Sequence, residues 1–205
     1  MRPPAPAHVD WTLPDAPPHA LFGAGARPEE KALVLGTAVV GTAVVLVHGH
    51  VSFGTWAVWQ YVVAAVIAFD LLGGVVANGL NPAKRDHHAP RPHPDASFVG
   101  RLARRPTLFA AAHVQPIVVG LLFPGAGVWW GPAWYAAFLA AVAAVSRAPL
   151  HLQRPAALCV CVAAVLASVT VTAPAGFAWL PVVMALKLPL AHAVQEEPYR
   201  PLERP

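Results

Sequence analysis

The chain has 205 residues, of which 57% are hydrophobic and 12% charged, with a formal net charge of +4. A soluble domain carries about 25% charged residues, so this composition excludes an ordinary soluble enzyme and points to an all-α integral membrane protein. The excess of basic residues needs no nucleic-acid partner to explain it, because those residues follow a membrane map along the chain.

Residues 1–30, beginning MRPPAPAHVDWTLPDAPPHA, are Pro-rich and polar and read as a loose cytoplasmic leader. They hold no apolar core of the kind a signal peptide needs. Six apolar runs follow, near 32–48, 53–80, 107–123, 128–146, 155–173 and 177–194. Each is close to the roughly 20 residues that cross a bilayer, and the second is long enough to tilt. Residues 31–197 are therefore expected to form one bundle of six transmembrane helices, with 198–205 as a cytoplasmic tail. The alternation that marks strands is absent. In the first run, GTAVVGTAVV at 36–45 is a five-residue echo that reads as small-residue helix packing. Cys159 and Cys161, two apart in the fifth run, point to different sides of a helix and form no framework disulfide.

The cations test this map. Arg2, Arg27 and Lys31 precede the first run. Lys84, Arg85, Arg91, Arg101, Arg104 and Arg105 lie between the second and third. Arg147 and Arg154 join the fourth and fifth, and Arg200 and Arg204 follow the sixth. The other three connections contain no Lys or Arg. With six crossings these residues all lie on one face, which the positive-inside rule makes cytoplasmic, with both termini inside. The expected location is the inner (plasma) membrane, whose anionic headgroups attract such a face weakly. Trp56, Trp59, Trp129, Trp130, Trp134 and Trp179 fall near the opposite ends of the runs and are expected to form an interfacial aromatic belt.

Several polar residues do not belong in lipid. Asp70 and Asn78 lie in the inner half of the second run, and His113 and Gln115 in the first turns of the third. Lys187 and His192 lie in the inner half of the sixth, with Glu196 and Glu197 at its exit. A charge at the bilayer centre costs about 2.5–3.5 kcal/mol on insertion scales. Convergence on one leaflet points to a shared polar cavity with a cytoplasmic mouth. Asp70, Gly74 and Asn78 are four apart and share a helix face, with Gly73 beside it, so a helix or ligand could approach closely there. Pro116 and Pro189 each remove a backbone donor near this zone. Asp70 and Lys187 also admit a structural ion pair, although intramembrane ionisable groups point first to function; His113 reads equally as a satisfied core histidine and Glu196 as a solvated helix end. A carboxylate is the wrong sign for a helix C-terminus, which favours a partner such as Lys84 or Arg85, or a bound ligand.

The connection NPAKRDHHAPRPHPD, residues 81–95, holds Asp86, His87, His88, His93 and Asp95. Adjacent histidines do not readily ligate one ion and four prolines stiffen the run, so no metal site is expected. No GxSxG, HExxH, Walker loop or GxGxxG is present, and no cofactor is expected.

The pattern Asp70-x-x-Gly73-Gly74-x-x-x-Asn78, followed by Lys187, His192 and EEPYRP at 196–201, resembles a group of small bacterial multi-span membrane proteins. That group includes the membrane-bound terpene cyclases of indole-terpenoid and related pathways. The resemblance covers the second, third and sixth runs. It implies protonation of a terminal alkene or epoxide on a prenyl chain, carbocation cyclisation and quenching by deprotonation. Asp70, Lys187 and His113 would then be catalytic, and Gly73, Gly74, Asn78, Gln115, His192 and Glu196 would bind a prenylated lipophilic substrate. Lys187, Arg85 or His88 could grip a polar head. Two other readings stand beside this one. In a proton-coupled transporter Asp70, His113 and Lys187 would form a relay, although the fourth and fifth runs hold no counterpart of Asp70. In a non-catalytic membrane assembly subunit the glycines would serve packing alone.

Overall fold

A computed structural model describes residues 7–54 and 56–201. Arg2 and Arg204, two cations of the charge map, lie outside the described residues, as do the ends of the leader and of the tail. Pro28 opens the first helix, where a missing N–H loses no helical bond. This helix, α1, runs Pro28–Phe53 and ends at Gly54, whose φ of 45° provides the left-handed turn. Helix α2, Val58–Gly79, packs back along it. A Cβ on Gly73 would stand 2.9 Å from that of Ala38, and one on Gly41 would stand 2.6 Å from Leu72 Cδ1. Gly36, the other glycine of the echo, meets nothing within 4 Å, so the packing reading holds at one of the two.

Four short helices follow: α3, Asn81–His88; α4, Phe98–Ala103; α5, Pro106–Ala111; and α6, Gln115–Leu122. The third apolar run is thus broken, and the break falls at His113, just before Pro116 in the first turn of α6. Helices α7, Trp130–Arg147, and α8, Leu150–Thr170, come next. Helix α9, Leu180–Ala185, continues into a π-helical turn, Leu186–His192. Pro189 inside this turn has no N–H to bond the Ala185 carbonyl, so the α register cannot run through it unbroken. The chain is mostly helical. Three helices, α1, α2 and α8, are long and apolar enough to cross a membrane, and Pro106–Leu122 and Leu180–His192 are shorter apolar stretches.

Two expectations need correction. The leader is docked rather than loose. Phe22 and Ala24 are buried, and the Ala24 amide donates to Asp86 Oδ2 at 2.9 Å. Gly23, at φ 79°, backs so closely on Pro82 that a Cβ would collide with its carbonyl. Strand β1, Ala7–Val9, pairs antiparallel with β2, Tyr199–Pro201, with His8 opposite Arg200, and an Arg200–Asp10 ion pair of 2.6 Å extends the join. Both ends of the described chain therefore meet on one side. The tryptophans also divide. Trp129 is 77% exposed and Trp59 half exposed, as a belt requires. Trp56 and Trp130 belong to the core. Trp56 packs against Tyr61, Phe123 and Phe177, and its ring fits over Gly49 and Gly176, where a Cβ would lie within 2.5 Å of it.

Candidate functional site

Helix α2 and the π-helical turn meet at Asp70. Lys187 Nζ donates to Asp70 Oδ2 at 2.8 Å and to the Asp70 carbonyl at 3.1 Å. From the first residue of α6, Gln115 Nε2 donates to the same Oδ2 at 2.9 Å. Asp70 Oδ1 has no protein donor among the described residues. The two charges are unevenly placed, since the Lys187 side chain is 3% exposed and that of Asp70 46%. The exposed side of Asp70 opens on a groove of about 480 Å³ between α1 and α2. Leu21, Leu35, Ala38 and Phe69 line it, and its surface is almost wholly apolar.

Gly74 and Asn78 meet Lys187, and Gly73 and Gly74 also line the apolar groove. A Cβ on Gly74 would stand 2.4 Å from Lys187 Cε, so the lysine stem lies in the gap that the missing side chain leaves. Asn78 Nδ2 donates to the Lys187 carbonyl at 3.5 Å. Gly73 faces Ala38 of α1. Lys187 and α1 fill the room on one side of these residues, while Gly73 and Gly74, expected with Asn78 to bind substrate, also line the groove that Asp70 faces.

His113 and His192 are not bonded to Asp70 or Lys187. His113 Nδ1 donates to the Phe109 carbonyl at 2.7 Å. His192, 1% exposed, stacks on Phe109 with ring centres 4.0 Å apart and lies 4.8 Å from the ring of His87. Neither ring nitrogen of His192 has a partner among the described residues. His88 Nε2 donates to the His192 carbonyl at 3.3 Å. These rings form a second cluster, built by α3, α5 and the π-helical turn. Glu196 is a third case. It pairs with Arg154 at 3.3 Å and Lys84 at 3.7 Å, outside the groove that Asp70 faces. The cation partner expected for it is present in Lys84.

Sequence reasoning gave too little weight to α3. Buried Lys84 donates to the carbonyls of Ala191 at 2.5 Å and Val194 at 2.8 Å, satisfying the end of the π-helical turn. Burial pushes its ammonium down to about 8, and the charge of Glu196 opposes that shift. Burial also lowers His87 to about 3 and His88 to about 4, with neighbouring cationic groups adding to it. The signal was legible in NPAKRDHH, where Lys84 and the two histidines, three and four residues on, share a helix face. Among the described residues no group of three His, Cys, Asp or Glu is arranged to hold a metal ion.

The chain matches no protein-family model, no curated protein and no solved structure.

Proposed function

We propose that the protein is a six-span integral membrane enzyme of the plasma membrane, a terpene cyclase acting on a prenylated lipophilic molecule, with both termini cytoplasmic. The topology is supported by the basic residues, confined to alternate connections, and by the pairing of the two chain ends. One observation carries the activity: a carboxyl group held on one oxygen by an ammonium and an amide, with its other oxygen free, at an apolar groove.

The chemistry follows from that arrangement. A hydrophobic substrate reaches the groove from the bilayer between α1 and α2. Asp70, the carboxylate partner of Lys187 at rest, takes up a proton on its free Oδ1 as substrate enters the groove and gives it to an epoxide oxygen or a terminal alkene carbon. The epoxide C–O bond opens, or the alkene π bond breaks, and a carbocation remains. A second alkene of the same chain supplies the electron pair for the new C–C bond. The negative charge left on Asp70 is met by Lys187 and Gln115, which already donate to Oδ2 and need no reorganisation. Phe69 lines the groove and offers an aromatic face to the cation. Loss of a proton from the final cation to the Asp70 carboxylate restores the acid and makes the reaction an isomerisation.

The test is incubation of the reconstituted protein with a prenylated indole or a farnesyl-type epoxide. Cyclised product is expected from the wild type and none from Asp70→Asn. Full turnover by Asp70→Asn would remove Asp70 from the acid role. The second reading, a proton-coupled carrier, gains from the buried His192 with its two unpartnered nitrogens beside His87 and His88. Uptake into proteoliposomes that tracks an imposed pH gradient would favour it.

A further inference from the structure

Arg101, Arg104 and Arg105 lie on α4 and on the turn into α5. With Pro92, Phe98 and Leu108 they line a groove of about 590 Å³. The three arginines differ in what holds them. Arg104 is committed to the fold, since its guanidinium donates to the carbonyls of Asp86 and Ala89 at 2.6 and 2.5 Å. Arg101 and Arg105 are exposed, and neither has an acidic or carbonyl partner among the described residues. Asp95 is the only acid in the sequence between Asp86 and Glu196, so competition for these guanidinium groups is slight. The side chains around them are apolar and equally open: Phe98 is 74% exposed, and Val99 and Leu108 are about half exposed. Residue 105 stands where the chain enters the third apolar run.

We propose that Arg101 and Arg105, with Phe98 and Leu108, form a binding site for an anionic phospholipid. The guanidinium groups take the phosphodiester, to which Arg presents a fork of donors. Phe98 and Leu108 lie along the first carbons of an acyl chain. Basic pockets beside transmembrane helices on the cytoplasmic side suit this class of lipid. The zwitterionic alternative brings its own ammonium beside two unpaired cations and is the poorer match. The inference rests on the membrane reading given above.

The test uses the full chain in nanodiscs that mix phosphatidylglycerol with phosphatidylcholine. Lipid retained after release is counted by native mass spectrometry. The wild type is expected to retain phosphatidylglycerol selectively. Each arginine near a charged surface is worth about fivefold in binding, so the double variant R101Q/R105Q should lose on the order of twentyfold. Phe98→Ser should weaken retention with little change in headgroup preference. Arg147→Gln, at an exposed cation on another connection, should change nothing. Wild-type retention of phosphatidylglycerol by R101Q/R105Q overturns the proposal, and so does an equal loss in Arg147→Gln. Complete competition by millimolar inorganic phosphate also overturns it, because the site would then take a free anion. If the wild type is recovered in the soluble fraction, the membrane reading fails first. If it stays with the membrane and R101Q/R105Q retains lipid unchanged, only the lipid site fails.

Discussion

Replacing Asp70 by Asn removes the charge against which Lys187 is buried. The ammonium is 3% exposed and its hydrogen bonds within the protein both go to Asp70, one to the carboxylate and one to the backbone carbonyl. Removing one partner of a buried pair costs about 3–5 kcal/mol. An independent bound agrees: releasing a proton at pH 7 from a lysine of ordinary pKa takes about 4.6 kcal/mol, at about 1.36 kcal/mol per unit. Lys187→Met should cost less, because Asp70 keeps Gln115 and is half exposed. The double variant D70N/K187M removes both charges while Met fills the lysine's volume, so most of the stability returns. The expected order of stability is wild type and double variant together, then Lys187→Met, then Asp70→Asn. Thermal unfolding in nanodiscs, followed by tryptophan fluorescence, reads this order. On the scale of soluble domains of this size, Asp70→Asn should lower Tm by about 6–20 °C. If Asp70→Asn and the double variant unfold together, the two charges are not coupled and the reasoning fails. Turnover then separates fold from chemistry, since the double variant should regain stability and remain without activity.

Three further outcomes are expected. Gly74→Ala should displace Lys187 and cost about 1–3 kcal/mol in overpacking along with most of the turnover; Gly79→Ala, with no atom within 4 Å, should be near neutral in the same unfolding measurement. Acid should destabilise the protein well above the carboxylate range. His87 and His88, held near 3 and 4 in the fold, gain a proton at about 6.5 once unfolded, so the unfolded state binds more protons between these values. Their contribution is complete above about pH 6.5 and is lost as pH falls toward 4; unfolding at pH 7 and pH 5 should differ in the wild type and differ less in His87→Phe. In a background without Cys159 and Cys161, His93→Cys should label from the cytoplasmic side and Gly127→Cys from the other, and labelling of both from one side would refute the six-span topology.

How much of this was legible depended on sequence distance. Asp70, Gly74 and Asn78 share a face through the helical period alone, so their common orientation followed from spacing. What lies along that face did not. Lys187 is more than a hundred residues away, and only packing shows that Gly74 holds the lysine stem. The docked leader was missed for the same reason. Its composition is that of a linker, while its order comes from contacts distant in sequence, among them the hydrogen bond from the Ala24 amide to Asp86 and the contact of Gly23 with Pro82. Trp56 departs from the expected belt because the same apolar, ring-bearing side chain suits a lipid interface and a protein core. The two glycines that admit it, Gly49 and Gly176, come from different elements. The broken third run was half visible, since Pro116 marked the place and left the extent of the break open.

On the proposed function, the partial filling of the α2 face narrows where a substrate would sit. A face open along its whole length would have carried it on to Asn78, between α2 and the last helix. That space holds Lys187 and Ala38. What remains open is the other side of Asp70, toward α1, where the lining is hydrocarbon and one oxygen is free. On the proposed function, a carboxyl group so placed would meet the substrate with one oxygen and the protein with the other. Its chemistry can then be varied from behind, through Lys187 or Gln115, without altering the shape of the groove. Gln115→Leu is the cleanest such change, because it removes one donor and leaves the ion pair, and on this geometry it should lower kcat while leaving KM close to that of the wild type.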